Sequence, residues 1–190
     1  MKSLTIGLIL LFAFQASFSQ GTSTAKIPDI PFVNHIYGLA ADNTIIELEQ
    51  ADAHYMMKPP VPFQKQESGY SIHGDQSPVR LKGNDSLRFV IKMASSSMDP
   101  SFIIRLYQLK GKKGNRDAVL NSSQDMYYHN KNEDNSAGIR LNYQKAANDV
   151  FIIIPAMRLP AGEYGFMNTT LMNGGGMHAT YTLFAFGLNP

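Results

Sequence analysis

Hydrophobic and polar positions alternate with a period of two along much of the chain, most clearly at 87–93. In Leu87-Arg88-Phe89-Val90-Ile91-Lys92-Met93, the residues Leu87, Phe89, Ile91 and Met93 fall on one side, and Arg88 and Lys92 on the other. Such alternation, carried by β-branched and aromatic residues, predicts a strand with one dry and one wetter face. Phe102-Ile103-Ile104-Arg105-Leu106-Tyr107-Gln108-Leu109 repeats the pattern less cleanly. The polar, proline-containing stretch 94–101 between them reads as the turn of a hairpin.

The same signal predicts strands at 32–39 and 44–49, hinged at Ala41-Asp42-Asn43. Short strands follow at 51–57, 69–73 and 79–81, with a short edge strand at 117–120. Pro59, Pro60 and Pro62 make 58–62 a stiff connection, because proline cannot donate to a central ladder. Lys110-Gly111-Lys112-Lys113-Gly114-Asn115-Arg116 is a solvated hairpin tip. The stretch 121–138 is rich in Asn, Ser and Asp without apolar periodicity, and so predicts a long surface loop. Alternation returns at 139–143, and 150–154 is apolar on both faces. The sharpest pair is last: 159–166 and 181–188, separated by the reversal at Gly174-Gly175-Gly176. Together these predict an all-β, immunoglobulin-like antiparallel β-sandwich of about eight to ten strands, completed by its C-terminus.

The N-terminus has a different character. Met1-Lys2 is a short positive start, 4–14 is almost continuously apolar, and Ser17 and Ser19 are small residues before Gln20. Residues 1–19 therefore read as a secretory signal peptide, 20–31 as a linker or lead-in to the first strand, and 32–190 as a single domain. The apolar run is too short for an ordinary spanning helix, so no membrane-spanning segment is expected after export. No cysteine is present. Export without disulfides points to a bacterial periplasm, envelope or medium rather than a bridge-stabilised animal domain. The formal net charge of +2 is close to balance. With no aromatic residue threaded through the Lys110–Arg116 run, nucleic acid is not an expected partner.

The 159–166 segment Leu-Pro-Ala-Gly-Glu-Tyr-Gly-Phe, the ending Phe184-Ala185-Phe186-Gly187 and the run 104–110 resemble uncharacterised exported β-sandwich proteins of Bacteroidetes-type bacteria. The resemblance covers most of the chain beyond the signal. It implies an envelope or secreted location and an immunoglobulin-like architecture, and it carries over no catalytic or binding residue.

Candidate chemistry is sparse. Tyr127 and Tyr128 with Asn130, Asn132, Asp134 and Asn135 supply stacking and hydrogen-bonding groups suited to a ligand such as a glycan. The same Asn/Asp stretch holds hard oxygen ligands of the kind calcium takes, but Lys131 opposes cation collection and no EF-hand pattern exists; no cofactor is predicted. His35, His54, His73, His129 and His178 form no close ligand pair. No nucleophile elbow appears. Met167, Met172 and Met177 near the triple glycine form a candidate apolar contact patch. The expected function is a noncatalytic exported structural or protein-interaction domain, with an envelope or extracellular protein as partner. Two alternatives stand beside it. One is a carbohydrate-binding or adhesin-like module. The other is a hydrolase whose site is assembled from dispersed acids such as Glu47, Glu67 and Glu163.

Overall fold

In Leu183-Phe184-Ala185-Phe186-Gly187-Leu188, large apolar residues alternate with small ones, and the architecture follows from where each set points. The computed structural model describes residues 28–58, 65–83, 87–124, 131–173 and 180–189, with backbone only at Gln124, Lys131, Asn132 and Asn173. The expected signal peptide therefore lies outside the described residues.

Thirteen strands and one short helix are present among the described residues. In chain order they are β1 (Ile36–Leu39), β2 (Ile45–Glu47), β3 (Glu49–Met57), β4 (Gln66–His73), β5 (Arg80–Lys82), β6 (Arg88–Lys92), α1 (Pro100–Ile103) and β7 (Ile104–Lys112). Then come β8 (Asn115–Gln124), β9 (Lys131–Asp134), β10 (Leu141–Lys145), β11 (Val150–Pro155), β12 (Gly162–Asn173) and β13 (Thr180–Asn189).

The all-β expectation holds, but the immunoglobulin-like sandwich does not. Six strands close into an antiparallel ring, β12-β7-β8-β4-β3-β13, because β12 and β13 also pair with each other from Gly162↔Leu188 to Asn173↔Thr180. The ring is a β-barrel. To it β13 adds the short parallel strand β5, and β8 adds β9. A separate open sheet, β10-β11-β6-β1-β2, packs against the barrel wall. The two halves of the supposed central hairpin thus part company: β6 lies in the open sheet and β7 in the barrel. The chain crosses between them through α1, whose N-terminus is capped by Asp99, Oδ1 accepting from Ser101 N at 2.8 Å. The expected edge strand at 117–120 is part of β8, an interior strand of ten residues. The stretch expected to be a loop at 121–138 contains the end of β8 and all of β9.

The closure has a steric cause. On β13, Phe184, Phe186 and Leu188 point outward into the core shared with the open sheet, whereas Leu183 and Ala185 point into the bore. Ala51 and Ala53 of the neighbouring β3, and Ala118 of β8 across the bore, are as small as Ala185, and Gly165 has Leu183 and Leu109 side chains within contact of where a Cβ would stand. Small residues at these positions leave room for Ile72, Leu109, Met167 and Leu183 to fill the interior of a six-strand ring. Outside the ring, Phe89 from β6 meets Phe166 edge-on at 4.7 Å and Phe186 at 5.0 Å between ring centroids. Burying each such ring is worth ~1.5–3 kcal/mol, so this seam fastens the open sheet to the barrel.

Candidate functional site

The two ends of the barrel differ in chemistry. At one end Arg116, wholly buried on β8, points into the bore and forks onto Glu49 of β3, with N···O distances of 2.7 and 2.9 Å. It also donates to the backbone oxygens of His73 and Gly74, and lies 3.5 Å from Glu163 of β12. Glu163 in turn accepts from Ser77 N at 2.8 Å and pairs with Arg80, which reaches Asn189 Oδ1 at 3.0 Å. Every charge here has an opposite partner, and the cluster plugs this end.

Among the described residues, the other end is lined by aromatic side chains. On β3 the inward positions run Ala51, Ala53, Tyr55 and Met57, from small inside to large at the rim. Tyr55 stands opposite Tyr70 of β4, with centroids 6.0 Å apart and edge-on. Tyr70 meets Tyr181 of β13 edge-on at 4.9 Å. Tyr55, Met57 and Met172, the last opposite Tyr181, are 42%, 58% and 47% exposed, so an apolar rim faces water. Burial, reinforced by the neighbouring hydroxyls of Tyr181, Tyr55 and Tyr107, pushes the Tyr70 phenol up to about 12.

Beyond the tyrosines the inner face of β3, β4, β8 and β9 continues as a trough of about 330 Å³. One register step past the Tyr55–Tyr70 pair come Met57, Ser68, Asn121 and Asp134, each opposite the next. The next step brings Gln66 opposite Ser123. A bulge in β8 opposite Ser68 and Gly69 turns the strand here, and Gly69 is required because a Cβ would fall 2.0 Å from the Ala118 carbonyl oxygen. Asp134 accepts from Ser136 N at 2.8 Å, and this serine's side-chain and backbone donors hold its carboxyl below the usual aspartate range. Glu133 at the same wall lies 3.7 Å from Lys65. The mouth thus offers ring faces, hydroxyls and amides, with two carboxylates.

Compared with family models, curated proteins and solved structures, the chain matches none. The function must be read from the geometry alone.

Of the residues singled out in the sequence, Asp134 lies in this trough. Asn135 lines a neighbouring cavity of about 270 Å³ with Tyr107 and Gly138. Tyr127, Tyr128 and Asn130 lie outside the described residues, as does the side chain of Asn132. Met167 is buried in the bore, Met172 stands on the rim, and Met177 lies outside the described residues. The three acids considered for hydrolysis sit apart. Glu47 is exposed on the open sheet, Glu67 on β4 is held by Lys58 and Lys110, and Glu163 belongs to the plug. Among the described residues no three His, Cys, Asp or Glu side chains gather in a way that would hold a metal ion. His35, one of the five histidines, packs between Phe32 and Phe184, each 5.3 Å away between centroids.

Sequence reasoning missed Tyr55, Tyr70 and Tyr181. A usable signal was present: on β3 and β13 the inward side chains grow toward the same end, Ala-Ala-Tyr-Met in one and Gly-Ala-Leu-Tyr, read backwards, in the other.

Proposed function

We propose that this chain is a noncatalytic, exported binding domain whose ligand is a saccharide docked at the tyrosine-lined mouth of the barrel. The observation that carries the reading is the edge-on triplet of Tyr55, Tyr70 and Tyr181 opening onto a trough of hydroxyl, amide and carboxylate groups. Tyrosine presents a flat apolar face beside a hydroxyl, and a sugar ring presents an apolar C–H face beside hydroxyls, so the two surfaces complement each other. Export is supported by the pattern of residues 1–19, and the separation of Glu47, Glu67 and Glu163 favours the carbohydrate-binding alternative over a hydrolase.

A protein partner is the second reading, and it draws on β10. This strand pairs only with β11 among the described strands, and Phe102 nearby is 74% exposed. Arg140 and Lys145 flank that edge, and cationic side chains on an edge discourage strand addition. The mouth is the better site.

A glycan array probed with the wild-type chain and with Tyr55→Ala tests the proposal. Reproducible binding to a set of glycans is expected, weakened about tenfold or more by the substitution, which corresponds to loss of one good contact. No glycan bound across a broad array would overturn it.

A further inference from the structure

Resting on the saccharide reading, we infer that the site takes a linear, neutral oligosaccharide lying across the mouth, with at least two linked rings in contact. Three features set this geometry. First, the ligand cannot run down the bore. The interior is filled by Ala53, Ile72, Leu109 and Ala118, and the far end is closed by Arg116 and its two carboxylates. A ligand that stacks on Tyr55 therefore extends along the rim, where the inner face of β4, β8 and β9 supplies hydrogen-bonding side chains.

Second, that face is divided into steps of different chemistry. Tyr55 and Tyr70 form the first, Met57–Ser68–Asn121–Asp134 the second, and Gln66–Ser123 the third. Successive steps are two residues apart along each strand, ~7 Å, so the strip spans ~13 Å. That is longer than one pyranose ring. The first step offers ring faces for stacking; the second and third offer side-chain donors and acceptors and no ring. Stacking alone holds one sugar unit, and the Asn121 amide with the Ser68 hydroxyl holds the next.

Third, the described charged side chains lining the trough are Glu133, which Lys65 offsets at 3.7 Å, and Asp134, which accepts from Ser136. Asp134 stays ionised below the usual aspartate range because Ser136 donates to it. As an ionised carboxylate it accepts hydrogen bonds from sugar hydroxyls and repels uronate or sulfate groups. The class is thus neutral rather than anionic.

The test is calorimetric titration of the full chain with neutral gluco-, manno- and xylo-oligosaccharides of one to four rings, and with uronate oligomers of matched length. For at least one neutral series, affinity is expected to rise about tenfold or more between one ring and two or three, with uronates markedly weaker. Asn121→Ala, at an exposed position, is expected to abolish this gain with length, the thermal transition of the variant being followed alongside. Tyr55→Ala is expected to weaken every length. A single ring bound as tightly as a trimer, a length dependence untouched by Asn121→Ala, or tighter binding of uronates would overturn the inference and leave the saccharide reading standing. Failure of every oligosaccharide, neutral and anionic, would overturn both.

Discussion

Arg116 and Glu49 face each other across the plugged end of the barrel in a two-pronged ion pair, Nη1 2.9 Å from Oε2 and Nη2 2.7 Å from Oε1. The guanidinium is fully removed from water, and it also donates to the backbone oxygens of His73 and Gly74 and lies 3.5 Å from Glu163, so the cation is satisfied as well as buried. Removing the cation alone strands Glu49 in a low-dielectric site, which costs about 3–5 kcal/mol. Arg116→Leu is expected to lower the urea-unfolding free energy by that amount. Arg116→Lys is expected to recover little of it, because an ammonium cannot make the fork. The double variant Arg116→Leu/Glu49→Leu is expected to be more stable than Arg116→Leu. A single variant within about 1 kcal/mol of wild type would contradict this account of the plug.

The tyrosines of the mouth predict an alkaline limit to stability. Tyr70 titrates in the folded chain at about 12, above the ordinary phenol value of 10.0, chiefly because it is buried. A raised folded value means that this group favours the fold fully below pH 10.0, and that its contribution is lost as pH rises from there through about 12. Tyr143, half-buried on the open sheet's edge strand β10, is pushed to about 12 as well. Spectrophotometric titration is expected to show these phenols ionising only together with loss of the fold, and Tyr70→Phe is expected to remove one of them. All tyrosines ionising near pH 10.0 with the fold intact would refute it.

Glycine positions in the barrel are expected to differ in what they tolerate. At Gly69 an added Cβ meets a backbone oxygen at 2.0 Å, whereas at Gly165 the nearest atom is Leu183 Cδ2 at 3.0 Å, a side-chain end that can yield. Gly69→Ala is therefore expected to destabilise by about 1–3 kcal/mol, and Gly165→Ala by less. The order is read from urea midpoints of the two variants; a reversed order would show that the bulge in β8 relaxes more readily than the bore.

The extended segments were largely legible in the sequence, because period-two patterning reports that a residue faces a core. It does not report which core. Phe89 and Leu106 carry the same pattern, yet they belong to different sheets that meet at one seam. Ring closure depends on β12 and β13 pairing with each other while each keeps a second partner, a long-range relation that local alternation does not encode. The Asn-rich stretch hid β9 because an edge strand with a solvated face has no apolar period to show. The mouth was missed for a related reason: Tyr55, Tyr70 and Tyr181 are far apart in the chain and meet only through the barrel's register.

The most direct test is to map, by backbone amide chemical shifts, where a neutral oligosaccharide settles on the isotopically labelled chain. The account predicts concentration-dependent shifts at Tyr55, Met57, Ser68, Tyr70 and Asn121, with the amides of Arg80, Arg116 and Glu163 at the plugged end unmoved. Shifts clustered at the plug or along β10, with the tyrosine mouth silent, would contradict it.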